Sequence, residues 1–208
     1  MREADRATIF DCAISIVTIA CEQCDAFVEM CDYLDERATI ARRISSYEAN
    51  ADEEYSNLGF YFLENKLMGD PDAVNLFNIV TSLEAITDSF EELANSLVRY
   101  NINESGKSLC DCAAALYGAS QKMHDLILAI RDKAPVSLII RDITALDKYK
   151  SRYCKFYDEA ILELFTDYDK DDAIDIIRSK AVYDAFKDVF ESFEKLSERC
   201  YRYIMSLD

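Results

Sequence analysis

The chain has 208 residues, 50% of them hydrophobic, and only 4 Gly, 2 Pro and no Trp. So few breakers argue against a turn-dense β fold and for long helices. Its 23 basic and 40 acidic residues give a net charge of −17, which argues against nucleic acid as a partner and against broad contact with an anionic bilayer. Cations, or a basic face of another protein, suit such a surface better, unless the acids serve solubility alone.

Apolar spacing traces six helices. The first covers about residues 4–32, with Phe10, Val17, Cys24 and Leu34 marking its inner stripe. The second covers residues 35–68, with Asp35 as candidate N-cap. Gly69 then suits the C′ position, Asp70 the next N-cap and Pro71 the first position of the third helix. That helix extends to about Tyr100, with Leu76, Leu83, Phe90 and Leu97 inward, and residues 101–106 (NINESG) read as a linker. The fourth helix, about residues 107–133, carries Leu109, Leu116, Met123, Ile127 and Ile130, and Ala134-Pro135 ends it. Ser137 suits the cap of the fifth, which runs to about Thr166. An acidic turn over residues 167–172 leads into the sixth, ending near Ser206. Sliding the chain by about one hundred residues lays PDAVNLF at Pro71 on DDAIDII at Asp171. The expectation is an all-α protein of six long helices forming two three-helix-bundle repeats, residues 1–103 and 104–208.

Several motifs carry little. Residues 1–8 are polar and the apolar run 13–21 is too short to span a bilayer, so a cytoplasmic protein without a signal peptide is expected. Of eight cysteines, Cys21, Cys24 and Cys31 share the apolar stripe of the first helix. Cys21-x-x-Cys24 has no matching pair, because Cys110 and Cys112 are two apart and diverge on a helix, so these read as packed thiols of a reducing compartment. Gly106-Lys107-Ser108 imitates the end of a P-loop, but Asn101 stands where that motif needs glycine. The single histidine, His124, reads as an exposed helix residue. It leaves too few groups for a ferritin-like di-iron enzyme, for general acid–base work or for Cys–His catalysis, so no enzyme is expected. Tyr47, Tyr55, Tyr153 and Tyr157 recur at helical spacing as packing residues.

Two carboxylate pairs carry more. Glu48/Asp52 and Glu84/Asp88 both read E-x-x-x-D, which places each pair on one helix face, one turn apart. The same spacing recurs at Asp32/Glu36 and Glu194/Glu198, so position counts for more than spacing. Ile44, Glu48, Asp52, Tyr55 and Phe62 share one stripe, and Phe77, Val80, Glu84, Asp88 and Glu91 share another; in both, an apolar stripe turns acidic. Like charges one turn apart weaken a helix by about 0.2–0.5 kcal/mol per pair, and partial burial adds to this. A metal held through oxygens would remove the penalty. So would a neighbouring base, for which Arg42, Arg43 and Lys66 are candidates.

At these residues the chain resembles a known family. ISSYEANADEEY at Ile44, followed by LEAITDSFEELANSLVRYNI at Leu83, resembles the PhoU-like proteins, closest to the branch of phosphate transport regulators distantly related to PhoU. The resemblance spans nearly the whole chain, most clearly residues 44–103 and 143–205. It implies two three-helix repeats whose E/D-x-x-x-D motifs bind divalent or trivalent metal ions (iron, zinc, manganese or magnesium). It also implies a non-catalytic role in the cytoplasm, or peripherally at the inner face of the membrane, beside an inorganic phosphate transporter or phosphate-sensing membrane complex, with a homodimer allowed. Carried over, Glu48, Asp52, Glu84 and Asp88 are metal ligands, with Glu91 one turn beyond. The second repeat departs: Asp147 keeps an acid, Ser151 replaces its partner, and the final helix offers Lys187 and Glu191 with Glu194 beyond, or Asp184 and Asp188 in an ungapped comparison. One metal site rather than two is expected. The alternative is a helical-bundle interaction protein whose metal sites have decayed.

Overall fold

The computed structural model describes residues 1–104, 107–166 and 173–207; the last two linker residues, Ser105 and Gly106, and the acidic turn 167–172 lie outside the described residues. Among the described residues there are six α-helices and no strand: α1 (Glu3–Asp32), α2 (Arg37–Glu64), α3 (Pro71–Arg99), α4 (Lys107–Arg131), α5 (Val136–Thr166) and α6 (Ala173–Met205). The protein is therefore all-α, and the inward residues read from periodicity, Phe10, Val17, Cys24 and Leu34 on the first segment and Leu76, Leu83, Phe90 and Leu97 on the third, are all buried.

The helices α1, α3, α6 and α4 close into a ring by pairwise contact. The helix α2 lies against α1 and α3, and α5 lies against α4 and α6. One buried apolar cluster runs through both sets of three helices. Phe27 meets Phe186 with ring centroids 5.5 Å apart, and Phe90 meets Phe193 at 6.2 Å, so aromatic contacts link the halves. With neighbours on three sides, α1 is apolar nearly all round. Its best 18-residue window reaches a mean hydropathy of 1.4, long and apolar enough to cross a bilayer by length and composition, and half of that window is buried in the core.

Local signals misplace some helix ends. Asp70 caps α3 as expected, accepting from the backbone N–H groups of Asp72 (3.0 Å) and Ala73 (3.2 Å), with Pro71 in first position. However, α2 stops at Glu64, and Lys66 rather than Gly69 takes the left-handed conformation (φ 56°); Gly69 closes a short 3₁₀ turn. Asp35 lies inside another 3₁₀ turn, Leu34–Glu36, and caps nothing with its side chain. Ser137 lies within α5, whose first turn is received by the Pro135 carbonyl from Leu138 N–H at 2.8 Å. His124 is half-buried rather than exposed.

Successive helices alternate in direction, so α1, α3 and α5 begin where α2, α4 and α6 finish. Contacts tie this terminal pole together. The α-amino group pairs with Asp70 (2.7 Å), Arg6 donates to the Ile130 and Arg131 carbonyls (3.2 Å each), and Asn75 reaches Ser206 (3.3 Å). The carboxylate motifs lie partway along α2 and α3, away from either pole.

Candidate metal centre

A buried amide sets the level at which α2 and α3 face one another. Gln23 on α1 is fully buried, and its Nε2 donates to the Ile44 carbonyl of α2 (3.3 Å) and the Thr87 carbonyl of α3 (3.2 Å). Glu48 lies one turn beyond Ile44, and Asp88 follows Thr87. Towards the end of α2, Tyr55 Oη meets Thr81 Oγ1 at 3.1 Å, and Phe77 packs against Phe62 with centroids 4.6 Å apart. Between these fixings Glu48, Asp52 and Asp88 converge: each offers an oxygen within 4.8 Å of the other two.

These groups press on one another. Partial burial, then Asp52, Glu91 and Asp88, push the Glu48 carboxyl up to about 7. Burial, then Asp88 and Asp52, push Glu84 up to about 7 as well. Asp88 is raised by burial and Asp52, against a hydrogen bond with Glu48 that lowers it. Glu84 and Glu91 therefore act on the triad electrostatically without belonging to it. Among the described residues, none of Glu48, Asp52, Glu84 and Asp88 forms an ion pair. Arg43 is engaged by Glu29 (2.5 Å), Arg42 reaches Thr39 (3.2 Å), and Lys66 lies beyond the end of α2. None of the three candidate bases serves this cluster.

The donor set is all oxygen and short of positive charge, with Glu48 half-buried and Asp52 and Asp88 exposed, which fits magnesium, manganese or iron; zinc prefers nitrogen and sulfur. The cysteines supply no alternative. Burial raises the thiols of Cys12, Cys21, Cys24, Cys31 and Cys112 to about 12, which makes them inert packing groups at neutral pH.

The second half is arranged differently. Asp147 and Glu191 belong to no three-ligand cluster among the described residues. Burial raises the Asp147 carboxyl, the Ser197 hydroxyl opposes this, Glu194 and Glu198 add to it, and Lys150 opposes it weakly. Lys150 reaches Glu194 at 2.9 Å and Lys187 reaches Glu191 at 3.9 Å. Lys180 pairs with Asp184 at 2.5 Å, and Tyr157 Oη also donates to Asp184, at 2.6 Å. Asp188 lies elsewhere again, sharing with Asp88, Ser89, Glu92 and Ala185 a shallow cleft of about 210 Å³ between α3 and α6.

Two participants, Gln23 and the Lys150–Glu194 pair, escape a reading of the motifs alone. Gln23 shows only as a polar residue on the buried side of an apolar helix. Lys180/Asp184 and Lys187/Glu191 are visible as i,i+4 pairs. The Lys150–Glu194 pair spans two helices and has no local signal. No protein-family model matches the chain, and no curated protein matches it.

Proposed function

We propose that this chain is a non-catalytic, PhoU-like accessory protein of inorganic phosphate transport or signalling that binds metal through the carboxylates of its first half. The observation that carries the metal reading is the convergence of Glu48, Asp52 and Asp88 at a helix interface with no basic side chain paired to them. Such a cluster weakens the bundle unless a cation enters or a proton stays. Glu48, Asp52 and Asp88 would each supply an oxygen, and Glu84 stands next to them. The bound cation would replace the proton that Glu48 otherwise keeps near neutral pH. The phosphate reading rests on the resemblance of residues 44–103 and 143–205. It places the protein in the cytoplasm beside a phosphate permease or phosphate-sensing complex, which it modulates without catalysing a reaction.

The second reading is a helical-bundle interaction protein with decayed metal sites, favoured by the lysines that answer Glu191, Glu194 and Asp184. Elemental analysis of protein purified without chelators, with Mn²⁺ titration of the apo protein, separates the two. The first reading expects one cation per chain and an affinity at least about a hundredfold lower in Glu48→Gln/Asp88→Asn, where two charged ligands are lost. Asp147→Asn/Glu191→Gln should bind as the wild type does. Unchanged metal content and melting temperature in the first variant would establish the second reading. The phosphate role is tested separately, by whether a phosphate permease co-purifies with the tagged protein from cells.

A further inference from the structure

Exposed large apolar side chains gather at the poles. On the helix flanks between the poles, Tyr117 alone among the described residues is of this kind. At the terminal pole, Phe60, Leu63 and Met68 are 66%, 68% and 63% exposed near the end of α2, and Val136, Met205 and Leu207 are 49%, 52% and 55% exposed at the ends of α5 and α6. These two groups stand at opposite edges of the pole, because α2 and α5 do not touch. A flat surface meets both at once, which a groove-seeking partner does not.

Charge singles out the same pole. Residues 1–6, 60–72, 129–139 and 198–207 hold seven basic and seven acidic side chains, in a chain with 23 and 40; Arg202 pairs with Glu198 and Lys133 lies 3.8 Å from Glu3, while Lys66 forms no ion pair among the described residues. Lys66 and Lys133 follow α2 and α4 in the left-handed conformation (φ 56° and 54°), where glycine would be easier, on turns that also carry Met68 and Val136. Between Val136 and Leu207 opens a recess of about 280 Å³, walled by Ile130, Ile139 and Ile204 and lined also by Arg6, which donates to the Ile130 and Arg131 carbonyls, and by Lys133, whose exposed ammonium lies 3.8 Å from Glu3. Apolar walls with cations suit an amphiphile with an anionic head. The opposite pole also exposes Leu162, Phe165, Ile174 and Ile177, but these flank residues outside the described set, and Asp32, Asp35, Glu36, Glu163 and Asp175 would repel phosphates there.

We propose that the terminal pole is a lipid-docking face: Phe60, Leu63, Met68, Val136 and Met205 enter the headgroup region of a phospholipid bilayer, and Lys66 and Lys133 meet its phosphates. The inference is independent of the metal reading. Long basic side chains beside shallow apolar anchors are the means by which proteins lie on such interfaces. The acidic middle of the molecule does not prevent it. A helix of thirty residues such as α1 is about 45 Å long, so mid-height stands roughly 20 Å from the pole, beyond the screening length of about 8 Å at physiological salt.

Flotation of the full-length chain with phosphatidylcholine vesicles, with and without phosphatidylglycerol, tests the proposal. Wild-type protein should float with both. Phe60→Ser/Leu63→Ser should lower partitioning by about tenfold or more, given the apolar area it removes from the bilayer, with an unchanged melting temperature. Met205→Ser, on the other edge, should lower it less. Lys66→Glu/Lys133→Glu should lose most on vesicles containing phosphatidylglycerol, and Tyr117→Ser should change nothing. Failure of the wild type to float with either vesicle overturns the proposal, as does equal flotation of Phe60→Ser/Leu63→Ser. A concentration-dependent dimer in sedimentation that this same variant disperses, in place of flotation, would assign the face to a second copy of the chain.

Discussion

The α2–α3 face and the α5–α6 face start from similar acidic stripes and settle their charge in opposite ways. On α2 and α3, Glu48, Asp52 and Asp88 converge with no basic partner, and burial holds Glu48 and Glu84 near 7. On α5 and α6, Lys150, Lys180 and Lys187 are interleaved with the acids and pair with Glu194, Asp184 and Glu191. Carboxylates gathered this closely, the half-buried Glu48 and Glu84 above all, gain from a compensating charge. One face carries its own, and the other leaves that place to a proton or a cation. Exposed lysine pairs of this kind contribute little stability, about 0–1 kcal/mol each, so what separates the faces is the local charge rather than the strength of the bundle.

The comparison can be broken by converting one face into the other. Ser151→Asp with Lys187→Glu removes a lysine and adds two acids to the α5–α6 face. If the interleaved lysines are what deny a cation, Mn²⁺ titration of this variant should show a second binding event, at least about tenfold tighter than any wild-type binding in that half, from the added charge. Absence of a second event would mean that helix register, not lysine, separates the faces.

Proton linkage gives the next largest effect. Glu48 and Glu84 titrate near 7 in the folded chain against an ordinary 4.5, so between those values the folded state holds protons that the unfolded state has released. Their contribution to apo stability is full below 4.5 and is lost as pH rises through about 7. Melting temperatures of the apo protein should fall between pH 5 and 8, and Glu84→Gln should flatten that fall. Saturating Mn²⁺ should flatten it too, and should bind more weakly below pH 7, where protons compete. Asp5 works the other way. The Arg2 guanidinium, with the Tyr61 hydroxyl donating at 2.9 Å, holds its carboxyl at about 2. Its contribution is present above 3.8 and is lost as pH falls towards 2. A melting temperature that climbs steadily from pH 5 to 8 would contradict the raised carboxyls of α2 and α3.

The smallest effect concerns the frame under the cluster. Gln23→Met keeps volume but removes the two hydrogen bonds to Ile44 and Thr87. Urea unfolding should show a loss of about 1–2 kcal/mol with an unchanged m-value. No loss would mean that apolar packing alone sets the register of α2 against α3.

The six helices and their buried stripes were legible because helical periodicity is a local property: Leu76, Leu83, Phe90 and Leu97 declare one face without reference to any partner. The Asp70-Pro71 start was legible for the same reason, since a cap is made within four residues. The end of α2 was not. Glycine advertised Gly69, but the chain turns at Lys66 and adds a 3₁₀ turn before α3. Of the acids singled out by motif, Glu48, Asp52 and Asp88 come together and Glu84 and Glu91 stand beside them, while Asp147 and Glu191 do not join a cluster among the described residues.

The sequence by itself determined that this is a helical protein and which faces of its helices turn acidic, because a spacing of three or four residues settles the side of a helix on which a group lies. Only the tertiary structure decided that α2 meets α3 at the level of Gln23, that Lys150 crosses to Glu194, and that Phe60 and Met205 crown the same pole. Spacing along a helix says nothing about the helix opposite. Distances between side chains on different helices follow from packing, and with them the convergence of Glu48, Asp52 and Asp88 and the Lys150–Glu194 pair.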